Sequence, residues 1–391
     1  MLVVSEGNEV VRLRPQNMAL TSGACAVLQD DGSVAAWGSA SYGGDASTVA
    51  NLRDIVQICS HYSAFVALRK DNSVVAWGDA ANGGNASPVT NLRDIVQVVG
   101  GNNAFAALRD DRSVVAWGVA VYGGTVPAAI TNLRDIIQVV GGGNAFAALR
   151  ADGSVVAWGH ASYGGTVPPD IGVLRDIVQV VGGLAAFAAL RKDGSLVAWG
   201  YPSYGGTVSP EVASLRDIVQ LVGGGLAFAA LRADGSVVAW GDPGYGSTVP
   251  PAVASLRDIV QVCGNYYAFA ALRKDGSVVA WGNASYGGTV SPAVASLRDI
   301  VQLSNCYFSG FSAMRADGSV VGWGINGAAI PTTITALRNL RAIYPGYITL
   351  AVLDDAGVPA SWAPVTGSPP AGVAGNVSYT LPERPKLRQL K

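Results

Sequence analysis

The sequence predicts an all-β propeller built from eight to nine units of ~41 residues, each with up to four strands. Three observations predict this fold: a tryptophan that returns at a nearly constant interval, three short apolar runs in each interval, and an Asp-Gly pair between the second and third runs. Short apolar runs bounded by glycine or aspartate are typical of buried strands. A period of about 40 residues indicates one repeat architecture instead of several separate domains.

Tryptophan sets the period. Eight tryptophans are followed by glycine and are spaced 40 to 42 residues apart, and a degenerate ninth copy at Trp362 lacks the glycine. The eight are Trp37, Trp77, Trp117, Trp158, Trp199, Trp240, Trp281 and Trp323. Their place at the end of each third run favours packing between neighbouring units, with the indole N–H bonded to a carbonyl oxygen, over stacking on a sugar.

The repeat domain is predicted to span residues 1–363, followed by a C-terminal tail at 364–391. Its units begin near residues 11, 52, 92, 133, 174, 215, 256, 297 and 337. Nine units exceed the usual four to eight blades of a propeller, so an open, spiralled stack is the alternative to a closed ring. Residues 2–4 or 377–381 are expected to supply a strand that closes the ring.

A representative unit runs over residues 215–255. Its apolar runs at 218–222, 227–231 and 236–240 predict strands A, B and C, and a short strand D is expected near Thr248 and Val249. Asp-Gly between strands B and C supplies the positive φ angles of a tight turn, whereas Arg112 is not an obvious substitute for that glycine. The recurring Arg-Asp before strand A is expected to bond to neighbouring turns and to fix the spacing of the blades.

Residues 230–241 read Ala-Leu-Arg-Ala-Asp-Gly-Ser-Val-Val-Ala-Trp-Gly, and this pattern recurs eight times in register. It resembles the repeat of the RCC1 (regulator of chromosome condensation) family, and the resemblance covers roughly residues 18–363. The resemblance implies a β-propeller, although these units are shorter than usual for RCC1 and do not divide into its seven blades. It also implies guanine-nucleotide exchange on a small GTPase as one function. Exchange in that family depends on a loop that protrudes from one blade, and no such insertion is evident here.

Composition disfavours several classes of function. The net charge of −1 argues against a nucleic-acid partner, and no apolar stretch is long enough for a membrane helix. Four cysteines without metal spacing and the lack of a visible signal peptide favour the cytoplasm slightly and leave the compartment undetermined. The two histidines occupy different repeat positions, and no nucleophile elbow, phosphate-binding loop or zinc motif is present. The sequence therefore predicts no enzyme, no cofactor and no metal.

Function is expected where the units differ. In an up-and-down blade the A–B loops and the ends of strand C share one face, and these positions vary in polar and aromatic residues, as recognition surfaces do. A tyrosine also recurs five residues after most tryptophans. The candidate binding residues on this face are Tyr42, His61, Tyr62, Tyr122, His160, Tyr163, Tyr201, Tyr204, Asp242, Tyr245, Tyr266, Tyr267, Tyr286 and Tyr307.

The leading hypothesis is a non-enzymatic scaffold that binds a protein partner through this variable face. The first alternative is a multivalent lectin in which each blade junction offers one weak glycan site. The second alternative is the guanine-nucleotide exchange that the RCC1 resemblance implies. The role of the basic tail at 383–391 is left open by the sequence.

Overall fold

The computed structural model describes residues 2–6, 9–13, 18–306, 310–325, 330, 335–338, 340–345, 350–354 and 359–362. These residues form nine antiparallel three-stranded sheets, called blades 1 to 9 in chain order, and one separate two-stranded hairpin. Strand order in each blade equals chain order, so its strands are A, B and C from first to last. The predicted all-β class and the ninth, degenerate copy are therefore confirmed.

The strands have these bounds in chain order. The hairpin consists of β1 (Leu2–Glu6) and β2 (Glu9–Leu13). Blades 1 to 3 consist of β3 (Met18–Leu20), β4 (Ala24–Leu28) and β5 (Val34–Gly38); β6 (Ile55–Ser60), β7 (Ala64–Arg69) and β8 (Val74–Gly78); β9 (Ile95–Gly100), β10 (Ala104–Arg109) and β11 (Val114–Gly118). Blades 4 to 6 consist of β12 (Ile136–Gly141), β13 (Ala145–Arg150) and β14 (Val155–Gly159); β15 (Ile177–Gly182), β16 (Ala186–Arg191) and β17 (Leu196–Gly200); β18 (Ile218–Gly223), β19 (Ala227–Arg232) and β20 (Val237–Gly241). Blades 7 to 9 consist of β21 (Ile259–Gly264), β22 (Ala268–Arg273) and β23 (Val278–Gly282); β24 (Ile300–Cys306), β25 (Gly310–Arg315) and β26 (Val320–Trp323); β27 (Leu340–Pro345), β28 (Leu350–Asp354) and β29 (Pro359–Trp362).

The hydrophobic core lies between successive blades. Strand B reads Ala-Phe-Ala-Ala-Leu-Arg in most blades and is buried on both faces, because a neighbouring sheet covers each of them. Between blades 4 and 5, Ala147 and Leu149 of one sheet meet Phe187 and Trp199 of the next. Small side chains opposite large ones let the sheets approach closely, and each such interface buries apolar area that stabilises the fold.

The ring of blades is closed. Each strand A contacts the strand A of the following blade, and β27 of blade 9 contacts β3 of blade 1. The open, spiralled stack is therefore wrong, and the structure is a propeller of nine blades. Closure by residues 2–4 is also wrong, because β1 pairs with β2 instead of with a blade. The other expected closing strand, at residues 377–381, lies outside the described residues.

The expected strand D at Thr248 and Val249 is not formed. In blades 1 to 7, strand C is instead followed by a short 3-10 turn, and in blades 3 to 7 one α-helical turn comes next. In blade 6, Thr248 and Val249 lie between these two elements. Proline at the start of the helical turn has no N–H to donate to a sheet. The helices of blades 3 to 7 are α1 (Ala128–Thr131), α2 (Pro169–Gly172), α3 (Pro210–Ala213), α4 (Pro251–Ala254) and α5 (Pro292–Ala295). The 3-10 turns are Ala40–Tyr42, Ser47–Val49, Ala80–Asn82, Ala120–Tyr122, Ala161–Tyr163, Pro202–Tyr204, Pro243–Tyr245 and Ala284–Tyr286.

These connections fill the space where neighbouring blades diverge. Helix α3 contacts strand C of both blade 5 and blade 6, and Val212 on it is buried in the core between them. The connection between blades 5 and 6 therefore packs between two sheets, where a fourth strand was expected.

The two faces of the ring differ as predicted. On the loop face, the A–B loop lies beside the end of strand C, where the N–H of Asp79 donates to the carbonyl of Ser63 at 3.0 Å. On the turn face, the B–C turn lies beside the Leu-Arg-Asp segment of the next blade, where the N–H of Ile95 donates to the carbonyl of Asn72 at 3.0 Å.

Candidate functional site

The turn face is a structural ladder of arginine and aspartate. Asp258 accepts from Arg273 of its own blade at 2.7 Å, whereas Arg257 reaches back to the turn aspartate Asp234 of the preceding blade at 3.2 Å. The same pair of contacts recurs around the ring, with the backward bridge present at eight blade junctions among the described residues. The expectation that these Arg-Asp pairs bond to neighbouring turns is confirmed.

Hydroxyl groups complete this ladder. The Ser236 hydroxyl donates to Asp234 at 2.6 Å, and its backbone N–H donates to the same oxygen at 2.9 Å. These hydrogen bonds, led by the one from the Ser236 side chain, lower the pKa of Asp234 below its ordinary value, and Arg232 and Arg257 add to the effect. Asp234 is thus held as an anion by its own turn.

The tryptophans join one blade to the next. The indole N–H of Trp158 donates to the carbonyl of Gly123 in the preceding connection at 3.0 Å, and Trp158 is 1% exposed. Seven junctions have this bond, from Trp77 to Trp323. The prediction of packing between blades is confirmed, and stacking of a sugar on these buried rings is excluded.

The loop face is held by hydrogen bonds between successive A–B loops. Gly143, Leu184, Gly225 and Tyr266 occupy equivalent places in blades 4 to 7, and the backbone N–H of each of the first three donates to the carbonyl of the next at 2.8–3.1 Å. Glycine alternates with a large residue at this position, and a Cβ on Gly143 would overlap the carbonyl oxygen of Leu184 in the next blade. The loops therefore form a fixed support for the side chains on this face.

Six tyrosines form an aromatic group on that support, over blades 5 to 7. They are called the tyrosine cluster: Tyr201, Tyr204, Tyr245, Tyr266, Tyr267 and Tyr286. Tyr201 and Tyr204 stack with ring centroids 4.6 Å apart. Tyr267 stacks on Tyr286 at 3.8 Å and on Tyr245 at 5.2 Å. Of the six, Tyr201 is the most exposed, at 43% of its surface.

The protonation of the cluster follows from its packing. Burial, followed by the charges of Tyr245 and Tyr267, raises the pKa of Tyr266 to about 12. The pKa values of Tyr245 and Tyr267 are raised by the same first cause. Tyr204 also contributes, after burial and Asp242, to the raised pKa of Tyr245. Tyr245, Tyr266 and Tyr267 therefore stay neutral near pH 7 and can donate hydrogen bonds.

The other candidate tyrosines lie in smaller groups on the same face. Tyr42 meets Tyr62 edge to face at 5.8 Å, and Tyr62 is 38% exposed. His160 lies between Tyr163, at 5.0 Å, and Tyr122, at 6.4 Å. Tyr307 lies outside the described residues.

His61 does not belong to the exposed surface, and the sequence-based prediction for it is corrected. Its ring is buried, stacks on Phe105 at 4.3 Å and lies 2.6 Å from the carbonyl of Asn82 through Nε2. Its Nδ1 accepts from the N–H of Ser63 at 3.1 Å. Burial lowers the pKa of His61 to about 4, so it is a neutral structural residue that joins blades 2 and 3.

Asn265 is the residue that sequence reasoning undervalued. It occupies the repeat position of His61 in blade 7 and is fully buried. Its Oδ1 accepts from the N–H groups of Tyr267 and Ala268, and its Nδ2 donates to the carbonyl of Tyr286 at 2.8 Å. Asn265 therefore positions two members of the tyrosine cluster. The available signal was the replacement of a loop glycine by an amide at this one position.

Asp242 lies at the edge of the tyrosine cluster. Its Oδ1 accepts from the N–H of Gly244 at 2.8 Å and so caps the turn that carries Tyr245. Its charge contributes, after burial, to the raised pKa of Tyr245. Asn283 makes the equivalent bond to the N–H of Ser285 in the next blade, at 3.1 Å.

The described part of the chain contains neither a metal-binding group of side chains nor a helix that could cross a membrane. No group of three or more His, Cys, Asp or Glu side chains there is arranged to hold a metal ion. Among the same residues, no helix has the length and hydropathy needed to cross a bilayer.

No protein-family model matches the sequence, and no curated protein matches it. Several solved structures are similar in fold. Human WBSCR16 is 17% identical, with 67% of this chain and 87% of that chain covered and a TM-score of 0.46. The ectodomain of the Physcomitrella patens receptor kinase CR4 is 18% identical, with 67% and 70% covered and a TM-score of 0.45. Yeast RCC1 (Prp20), solved bound to Kap60, is 16% identical, with 75% and 88% covered and a TM-score of 0.42.

Of these three, the yeast protein carries the name of the family whose repeat this sequence resembles. At such identities the likeness concerns the fold alone. The number of blades and the closure of the ring come from this chain's own sheets and contacts.

Proposed function

We propose that this chain is a non-enzymatic propeller scaffold that binds a protein partner through its loop face. The observation that carries the proposal is the tyrosine cluster: six partly exposed rings from three adjacent blades, held on loops that are hydrogen-bonded to one another. Tyrosine is enriched in the energetically dominant centre of protein interfaces. It offers a large contact area and a hydroxyl at a low cost in conformational entropy.

The rigidity of the support favours this function. The A–B loops of blades 4 to 7 are joined by backbone hydrogen bonds, and Asn265 fixes the backbone of Tyr267 and Tyr286 from below. A surface that is ordered before binding loses little entropy when a partner docks. Guanine-nucleotide exchange has no comparable support among the described residues, where the connections between blades differ little in length.

The decisive experiment removes the centre of the cluster. The double variant Tyr204→Ala and Tyr245→Ala is compared with Tyr42→Ala and Tyr122→Ala, which changes the same repeat position in blades 1 and 3. Proteins that the wild type enriches from an extract are purified and titrated against each variant by calorimetry. Loss of two interface anchors is expected to weaken binding at least ~30-fold, while the control variant binds as the wild type does.

A glycan array run in parallel distinguishes the lectin alternative from the proposed scaffold. Binding that a simple sugar inhibits would replace the scaffold by a lectin. If the cluster variant keeps full affinity for every partner of the wild type, the proposed function is wrong.

A further inference from the structure

Cationic side chains are segregated to one face of the ring. Between residues 18 and 306, every arginine and lysine belongs to a Leu-Arg-Asp segment or to the end of strand B and its turn, all on the turn face. The loop face in this range has no cation of its own. It has two carboxylates directly after strand C, Asp79 and Asp242.

Asp242 is the carboxylate that borders the tyrosine cluster. Its side chain accepts the capping bond from the N–H of Gly244, and no arginine or lysine within the described residues forms an ion pair with it. Asp242 caps the turn Pro243–Tyr245, which carries a member of the cluster, and its charge contributes, after burial, to the raised pKa of Tyr245. An anion that is solvated by one backbone N–H keeps most of its capacity to accept further hydrogen bonds.

The rings beside Asp242 add to this negative potential. The face of an aromatic ring carries partial negative charge and attracts a cation that lies over it. Tyr201, which stacks on Tyr204, is 43% exposed, and the described loop face between residues 18 and 306 supplies no arginine or lysine to cover its ring.

We propose that the partner places a cationic side chain, of the arginine type, against the tyrosine cluster beside Asp242. The inference rests on the proposed function and specifies the chemistry of the partner at that site. Guanidinium fits better than ammonium because it is planar, stacks on aromatic rings and is more weakly hydrated. It can donate to the Asp242 carboxylate and lie over a tyrosine ring at the same time.

The probe is a capped Gly-Arg-Gly-Arg-Gly peptide, and its control is the same peptide with citrulline in place of arginine. Citrulline keeps the shape and most donors of the side chain but has no charge. Binding to the full chain is followed by NMR line shifts and calorimetry at low and high salt. We expect saturable binding of the arginine peptide that is at least about fivefold tighter than that of the citrulline peptide and that weakens with salt.

The matched variants are Asp242→Asn and Asp79→Asn, which remove a charge from the same repeat position in blades 6 and 2. Asparagine at this position is compatible with the fold, since Asn283 makes the capping bond in blade 7. Asp242→Asn is expected to weaken the arginine peptide about fivefold and Asp79→Asn to leave it unchanged.

Equal binding of the two peptides, or equal effects of the two variants, overturns the inference. This failure is distinct from failure of the proposed function. Loss of partner binding in the Tyr204→Ala and Tyr245→Ala variant would still support the scaffold, with a neutral partner segment in place of a cationic one.

Discussion

The B–C turn shows how one residue type decides local geometry. In six blades the residue after the turn aspartate is a glycine with φ between 73° and 79°. Asn72 and Arg112 occupy the same place with φ of 61° and 64°, in the left-handed region that side chains with a Cβ disfavour. Asparagine tolerates this region because its short polar side chain bonds locally, whereas arginine has no such compensation.

We therefore expect Arg112→Gly to stabilise the protein. The substitution relieves about 1–2 kcal/mol of strain from the left-handed backbone conformation. Part of this gain is offset because glycine has more conformational entropy in the unfolded chain, so the free energy of unfolding should rise by about 0.5–1 kcal/mol. Urea denaturation measures the change. Asn72→Gly is the control and should gain less; an unchanged or lowered midpoint for Arg112→Gly would contradict the strain argument.

His61 and Asn265 mark the limit of sequence reasoning at single positions. Both stand where blades 3 to 6 have a loop glycine, yet the sequence singled out only His61 as a candidate residue. It placed His61 on the surface, yet the ring turns inward and bonds to a carbonyl of the following connection, as Asn265 does. Side-chain direction depends on the space left by the neighbouring blade, and a single repeat contains no information on that space.

The elements follow from local pattern more completely. Strands A, B and C could be predicted because each is a short apolar run with a turn signal at its end. The conformation of the segment after strand C could not be predicted in the same way, because it depends on the space between two neighbouring blades and not on the local sequence alone. The wedge between diverging blades favours a helical turn with one buried residue, such as Val212 in α3, over an edge strand.

The junction between blades gives a test at this scale. Trp158 donates to Gly123, whereas the indole nitrogen of Trp37 is buried and has no hydrogen-bond partner in the described structure. Phenylalanine at either position removes a similar side-chain volume. Only Trp158→Phe also breaks the hydrogen bond to Gly123 and leaves the Gly123 carbonyl without this donor. We expect Trp158→Phe to cost about 1 kcal/mol more than Trp37→Phe in the free energy of unfolding.

Chemical denaturation of the two variants measures this difference. Equal losses would show that ring volume, and not the indole N–H, sets the strength of the junction. Trp117→Phe serves as the second member of the bonded class, since its N–H donates to Gly83 at 3.0 Å.

The number of blades is a property of the whole molecule. Nine copies of the period were visible in the sequence, but closure depends on the small rotation between neighbouring blades summed around the ring. That rotation is set by how deeply alanine-lined and phenylalanine-lined faces interlock, as between blades 4 and 5. A period fixes how many units exist and leaves this angle undetermined, so the open stack and the closed ring could be separated only by the contact between β27 and β3.

The turn-face ladder should make the stability of the whole ring depend on pH. Hydrogen bonds from the following serine, and then the arginines, lower the pKa of the turn aspartates in six blades: Asp31, Asp152, Asp193, Asp234, Asp275 and Asp317. A carboxyl whose pKa is lower in the folded state stabilises that state above its ordinary pKa, and the contribution is lost as the pH falls through the lowered value. Each exposed ion pair contributes little by itself, but the six turn aspartates are protonated in the same pH range, so their contributions add.

We expect the urea midpoint to be nearly constant from pH 7 to about 5 and to fall steeply below about pH 4. Ser236→Ala with Ser277→Ala removes the hydroxyl bonds to Asp234 and Asp275, so the pKa values of these carboxyls should move up towards the ordinary value. The double variant should therefore have a lower urea midpoint at pH 7 and a smaller fall below about pH 4, because less stabilisation is left to lose on protonation. A midpoint that stays flat to pH 3, or a double variant with an unshifted profile, would show that the ladder only spaces the blades and does not stabilise them.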